Sequence, residues 1–471
     1  KGLPYDASGT KTPDTYNNHP DLKIRTVSGP GVVIDVTADI FTASGATGPA
    51  GGGGLGKIIV DQWNFPGAIR TTQSIRSFLL KTGDCKVVFS VDKFGVGLLT
   101  TSGIGSISVP KGAWASTGGV VEGEITTMTT GQFLAGATIT AGKITTFTVF
   151  GDFQGSVSST GAMKNITVKG RFTGSLQAAS VGKITAEYFD GTDLANSDPY
   201  GDSSRHNINI TDAGLGLITA KPHDLDTFGI KNYEITVATT FAGFSVTDKT
   251  APGSFVGIDH VMLQAGAIGN TTVTLTAAAA AKAIRDSVFE SNGTMGAITT
   301  SHSVTTSIFA AATNIAQVTV KGSLSFSKIL AGTFLGDDAA LGGVDDAADV
   351  FDKSGKVAGV KVAGAFSTST IAAGVDSVDG IYGNLDDVLA PNGIAPAGSA
   401  TSIGPLSFGA GSGIIGSSPM ELHHYAIEGA SLKSLLVDRI AVKPLPTALP
   451  KYLDLGGAGA DETDVLVRLL S

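Results

Sequence analysis

Cysteine is almost missing from this chain: Cys85 is the only one in 471 residues. A single thiol excludes intrachain disulfides, thiolate metal clusters and c-type haem attachment. It suits either a reducing compartment or a bacterial surface protein that builds a large core without bridges. Charge is sparse too, at 15% of residues with a net of −9. That balance supplies no basic face of the kind a phosphate backbone requires, so nucleic acid is not expected as a partner. Aromatic residues make up 7%, which leaves few for a sugar-stacking platform once a core is served. Long apolar runs are absent as well. The most apolar stretch, LTAAAAAKAI from Leu275, is short and holds Lys282, so no membrane span is expected. The chain begins at Lys1, as a processed precursor or a fragment would.

What the chain has in excess is glycine, 64 residues, with Ala, Thr, Ser, Val and Ile. The glycines lack collagen's every-third spacing, and a charge-poor chain rich in β-branched residues is unlike a disordered one. This composition suits many short strands and tight turns.

The strands repeat. Phe94, Trp114, Phe133, Phe153 and Phe172 follow one another at steps of 20, 19, 20 and 19 residues. Glycine stands two places before the last four, at Gly112, Gly131, Gly151 and Gly170. Alternating β-formers precede them, as in Ile107-Ser-Val109, Phe147-Thr-Val149 and Ile166-Thr-Val168. The outline returns at Val318-Thr-Val320-Lys-Gly322-Ser-Leu324 and at Val360-Lys-Val362-Ala-Gly364-Ala-Phe366, a spacing of 42 that reads as two units. A unit of this size cannot bury its own apolar face, but a stack of copies can. Period-two alternation turns Val and Ile inward and Thr, Ser or Lys outward. The expected fold is therefore all-β: a parallel β-helix, or β-solenoid, with rungs of about 20 residues. Successive rungs would lie about 4.8 Å apart. Trp114, Phe133, Phe153, Phe172 and, later, Phe366 would form a ladder with Phe94. Glycine would turn each corner. The competing architecture is a β-sandwich or a string of immunoglobulin-like modules, which has no need of an aromatic at so regular a step.

Breaks in the pattern divide the chain. Residues 1–22 form a polar extended arm, 23–186 a solenoid, 187–227 an irregular insertion, 228–444 a further solenoid with an acidic loop at 336–355, and 445–471 a cap or assembly segment. Within the second solenoid, AAAAAKAIRDSVFE from Ala277 has helix propensity. Its neighbours TTVTLT and GAITT favour strands there.

At GKITTFTVFGDFQGSV, ITVKGRFTGSLQAASVGKIT and STIAAGVDSVDGIYGNLDDVL the chain resembles the large Gly/Thr-rich repeat proteins of bacterial surfaces, such as those of planctomycetes. The resemblance covers about residues 85–190 and 265–445. It implies a β-helical fold and an extracellular or cell-surface location.

Chemistry-bearing residues gather where the repeat fails. Asp376, Asp379, Asn384, Asp386 and Asp387 crowd around Gly380 and Gly383. Calcium takes six to eight hard oxygens from a loop that can wrap, so this stretch is the first candidate calcium loop. Asp190, Asp193, Asn196, Asp198 and Asp202 form a second, and the aspartates between Asp337 and Asp352 a third. The ordinary alternative for each is a solvated acidic loop. His423 and His424 are adjacent, so in a strand they point to opposite faces and do not chelate one ion together. The run Gly51–Gly54 is followed by neither Lys-Ser/Thr nor a helix pattern, and so reads as a turn rather than a phosphate loop. Asn-x-Ser/Thr sequons stand at Asn165, Asn209, Asn270 and Asn292.

The function these features predict is structural and non-enzymatic: a secreted solenoid, carrying calcium, that assembles with copies of itself into a surface layer, sheath or fibre. The alternative is a β-helix that cleaves or binds glycans, either a polysaccharide lyase or hydrolase or an adhesin for cell-surface glycan. Asp352 with Lys353, or Asp190 with Arg171, could be imagined in such a site, but nothing in the sequence places either pair together, and no catalytic residue is assigned.

Overall fold

The computed structural model describes residues 22–27, 32–36, 55–63, 66–71, 75–91, 103–191, 206–223, 227–248, 254–276, 281–336, 354–376, 388–389, 401–409, 426–437, 439–441, 451–453 and 465–469. All regular structure among them is β-strand, without helix. Even AAAAAKAIRDSVFE contributes the strands Lys282–Arg285 and Val288–Ser291. Pairing with neighbouring copies overrides the helix propensity of its alanines there. By contacts the chain divides into two compact units, Lys1–Gly182 and Lys183–Ser471.

In the first unit, strands pair parallel and in register with the corresponding strand of the next repeat. One column of partners runs Ile58, Phe78, Ile107, Met128, Phe147, Ile166, and every member is buried. A second column holds the expected aromatics. Trp114 pairs with Phe133, Phe133 with Phe153, and Phe153 with Phe172. Their ring centroids lie 6.3, 5.0 and 4.6 Å apart. Phe147 of the first column meets Phe133 and Phe153 edge-on, each at 5.7 Å, so the two columns face each other across one core. Phe94 lies outside the described residues. The partner that precedes Trp114 is Cys85, whose thiol burial pushes up to about 12. A small buried thiol packs as an apolar side chain.

The glycines of this repeat serve a different purpose from the one expected. Gly112, Gly131, Gly151 and Gly170 are not among the residues with positive φ. A Cβ on any of them would press on the backbone or a side chain of the preceding copy. Gly151 N–H donates to the Gly131 carbonyl at 2.6 Å, and Gly170 N–H to that of Gly151 at 3.2 Å. They are glycine because backbone meets backbone there, not because the chain reverses.

The second unit repeats the scheme with longer steps. One buried column runs Ile208, Ile235, Leu263, Phe289, Phe309, Ile329, Ile371, Ile427. Another runs Phe189, Ile230, Ile258, Ile284, Val304, Leu324, Phe366. Phe366 thus follows the aliphatic Leu324 in its column and packs on the Phe408 ring at 4.4 Å. Early steps in these columns run to 26–28 residues, as from Ile235 to Leu263 and Phe289 or from Ile230 to Ile258 and Ile284, whereas Phe289, Phe309 and Ile329, and likewise Ile284, Val304 and Leu324, keep the 20-residue step. The spacing of 42 is one step, not two: Val318 pairs directly with Val360, and Val360 with Leu406. Forty-two residues therefore make one step of the ladder here, so spacing alone counted a copy that the pairing does not contain. The segment 187–227 is less irregular than its composition implies. It holds the strands Tyr188–Asp190, His206–Ile210 and Leu215–Ala220; Ile208 and Ile210 keep the alternation that buries them, and Leu215 and Ile218 are buried as well.

The strands Ile308–Ala311, Lys328–Ala331 and Thr370–Ala373 are buried on both faces over most of their length. Such strands read as continuous apolar runs rather than alternating ones. Leu335 and Val375 cover Ala310, Leu330 and Ala372. A fully buried Glu290 carboxylate latches this cover, accepting from Leu335 N–H at 2.6 Å and from the Gln264 amide at 3.2 Å. Near the chain's end, Val465–Leu469 adds parallel to Ala426–Gly429, and Lys451–Leu453 folds antiparallel onto it.

Replacing Phe153 by Ala empties the middle of the aromatic column. Truncating a buried Phe costs about 3–5 kcal/mol, so chemical denaturation should show a loss of that order in the first unit.

Candidate functional site

A line of turns in the second unit gathers its most concentrated chemistry. The strands Phe228–Lys231, Val256–Asp259, Lys282–Arg285, Ser303–Thr305, Leu324–Ser325 and Phe366–Ser367 lie in parallel register. Each is followed by one residue in the left-handed region: Asn232, His260, Asp286, Thr306, Phe326 and Thr368, with φ between 45° and 53°. None is glycine. Beyond that turn the last four copies place a buried serine: Ser287, Ser307, Ser327 and Ser369. Each serine hydroxyl donates to the carbonyl two residues back, at 2.7 to 2.8 Å. The same oxygens accept the N–H of Val261, Ser287, Ser307 and Ser327 from the preceding copy, at 3.1 to 3.4 Å. The hydroxyl satisfies a buried donor and a buried acceptor that the tight turn would otherwise strand, a defect worth about 1–3 kcal/mol.

Before the turn, the register aligns charges of alternating sign: Asp190 beside Lys231, Lys231 beside Asp259, Asp259 beside Arg285. Lys231 also sits over the Phe228 ring at 5.0 Å. Asp259 is the centre of this column, with its side chain 4% exposed. The Arg285 guanidinium grips both its oxygens, Nε to Oδ1 at 2.9 Å and Nη2 to Oδ2 at 2.7 Å. His260 Nδ1 lies 2.8 Å from the same Oδ1, and His260 Nε2 lies 3.7 Å from Asp286 Oδ2. Burial raises the Asp259 carboxyl, but the bonds from His260 and Arg285 outweigh it and hold the group below the ordinary carboxylate range. Arg285 is raised in turn by its bond to Asp259.

Donor atoms of Asp259, His260 and Asp286 lie within 4.8 Å of one another, close enough to share a cation. The guanidinium already fills that role: a two-pronged arginine is the cation a buried carboxylate matches best. With both oxygens engaged, Asp259 is also poorly placed to act as base or nucleophile.

Of the residues read from sequence as calcium ligands, Asp190 stands next to Lys231 in the charged column. Asp376 is half-buried in the short strand Val375–Asp376, which pairs antiparallel with Val388–Leu389. Asp379, Asn384, Asp386, Asp387, Asp193, Asn196, Asp198 and Asp202 lie outside the described residues, as do the aspartates from 337 to 352 and the pair His423 and His424. A shallow groove of about 540 Å³ runs along the second unit past Thr240, Asn314 and Lys356, and among the described residues no carboxylate lines it. Sequence reasoning missed the charged column and the serines. The signal for the serines stands in the sequence as Ser287, Ser307 and Ser327 at 20-residue steps.

Asp259→Asn removes the charge from the column while keeping its shape. Because the folded carboxyl is depressed, its stabilisation is present above the unfolded value of about 4 and is lost as pH falls through the lower folded value. Above pH 5 the variant should be less stable than the parent by about 1.5–3 kcal/mol, the worth of hydrogen bonds to a charged group. The difference should shrink as the solution is acidified below pH 4. Urea titrations at several pH values would measure it; a gap that widens in acid would contradict the assignment.

No family model matches the chain, and no match was found among curated proteins or solved structures.

Proposed function

We propose that the chain is a non-enzymatic structural protein of the cell exterior. In this proposal it is a parallel β-helix subunit that assembles with copies of itself into a surface layer, sheath or fibre. The observation that carries the proposal is the in-register stacking of like on like within each unit: aromatic on aromatic and glycine on glycine in the first, serine on serine in the second. A column of this kind favours growth by one more copy wherever an end strand is left uncovered, because an edge strand offers unpaired N–H and C=O groups to the next. Head-to-tail contacts of that sort yield filaments rather than closed rings. Bacterial surface proteins with repeats of this Gly/Thr-rich type are the class in view. Its one cysteine fits a protein stabilised by stacking rather than by disulfides.

Calcium belongs to the proposal through the loop around Asp376, Asp379, Asn384, Asp386 and Asp387, whose oxygens suit a hard cation. Binding there would neutralise carboxylates that otherwise repel one another.

Electron microscopy of purified protein with millimolar calcium should reveal regular fibres or sheets, and removing calcium with a chelator should thin them. A protein that sediments as a monomer at high concentration with calcium present would sink the proposal.

A further inference from the structure

Among the described residues only Val120, Phe150 and Phe326 are large hydrophobic side chains in the open, and Phe326 is the most exposed, at 62%. Phe150 has Lys169 over its ring at 4.6 Å. Phe326 also takes a backbone that phenylalanine avoids, φ +52°. A bulky residue in the left-handed region is a true outlier. Such strain persists where the surroundings over-determine it and gathers at sites that hold ligands. Here the surroundings are explicit. Phe326 N–H donates to the Ser367 carbonyl at 3.2 Å. The next residue, Ser327, is buried and bonded to Ser325 and Ser369. The ring stands on a fixed base.

Its neighbours are hydroxyls. Thr306 and Thr368 hold the equivalent turn positions in the copies on either side. The residues before them, Thr305, Ser325 and Ser367, form one half-buried column in register. The charges of the strip end at Asp286, and Lys328 lies two residues beyond the ring on the next strand.

We propose that Phe326, flanked by Thr306 and Thr368, is a binding platform for a neutral carbohydrate. A sugar ring has one apolar face of C–H groups and an equatorial fringe of hydroxyls. The strip offers the counterpart of both, an uncovered aromatic face and rows of hydroxyl donors and acceptors at fixed spacing. A protein partner fits less well, since specific interfaces need upward of about 1,000 Å² of complementary surface, and the flanking turn residues here are threonines. A nucleobase would stack too, but its phosphates would meet a chain of net charge −9. This site is independent of whether the chain polymerises.

The test compares the full chain with Phe326→Gly and Phe326→Trp. Glycine relieves the strained backbone, so that variant should unfold at a temperature no lower than the parent and yet lose the ligand. Affinity electrophoresis in gels containing soluble β-1,4-glucan, β-1,3-glucan, α-mannan or polygalacturonate gives the readout. The parent should be retarded by at least one neutral polymer and not by polygalacturonate. Phe326→Gly should lose that retardation by tenfold or more, and Phe326→Trp should keep it. A parent that none of the neutral polymers retards would overturn the proposal, as would retardation unchanged in Phe326→Gly. Self-association lost in Phe326→Gly without any glycan binding would also overturn it, in favour of a contact between copies.

Discussion

Parallel backbone pairing in register is the constraint from which the other features follow. Once a strand bonds to the same strand of the next copy, every residue must tolerate its own equivalent as a neighbour about 4.8 Å away. Side chains that gain from such company are placed inside. Trp114, Phe133, Phe153 and Phe172 stack ring by ring, and Ile235, Leu263, Phe289 and Phe309 pack as a second apolar column in the other unit. Those that lose must be eliminated or alternated. Glycines remain where a Cβ would strike the preceding backbone. Charges in one column change sign from Asp190 to Lys231, Asp259 and Arg285, since like charges directly opposite one another are destabilising.

The same constraint governs the polar groups of the turns. A single serine per copy, repeated, closes its own turn and receives the N–H of its neighbour. Because the bonds run from copy to copy, the column is satisfied only as a whole. That arrangement fixes the backbone of the turn without prescribing which side chain stands at its tip. Variation concentrates there: Asn232, His260, Asp286, Thr306, Phe326, Thr368. A scaffold fixed by repetition and tips free to differ is the arrangement in which recognition can be added without disturbing the core.

Much of the fold was legible in the sequence because period-two alternation and a recurring aromatic are local signals. The columns through Phe133, Phe153 and Phe172 could be read directly from their steps. Two things hid the rest. One was the unequal length of the steps: 42 residues separate Val318 from Val360, which looked two units apart although they pair directly. The other was side-chain economy: Cys85 does the packing work of an aromatic beneath Trp114, and no periodicity of rings could reveal it. The Asp259–Arg285 pair was equally hidden, because its partners lie 26 residues apart on strands whose register composition alone does not set. The strain at Phe326 is a backbone property, and only coordinates disclose it.

Register can be tested by cross-linking. Thr319 and Lys361 are direct partners, although 42 residues separate them. Adjacent strands hold Cα atoms within the span a disulfide bridges. With Cys85 replaced by Ser, cysteines at 319 and 361 should join rapidly and almost completely under mild oxidation. A pair at 319 and 356, five residues away along the same strand, should stay open. If the first pair fails to close, or if both close alike, the strands are not stacked in register and the account of this protein as a ladder of repeated copies is wrong.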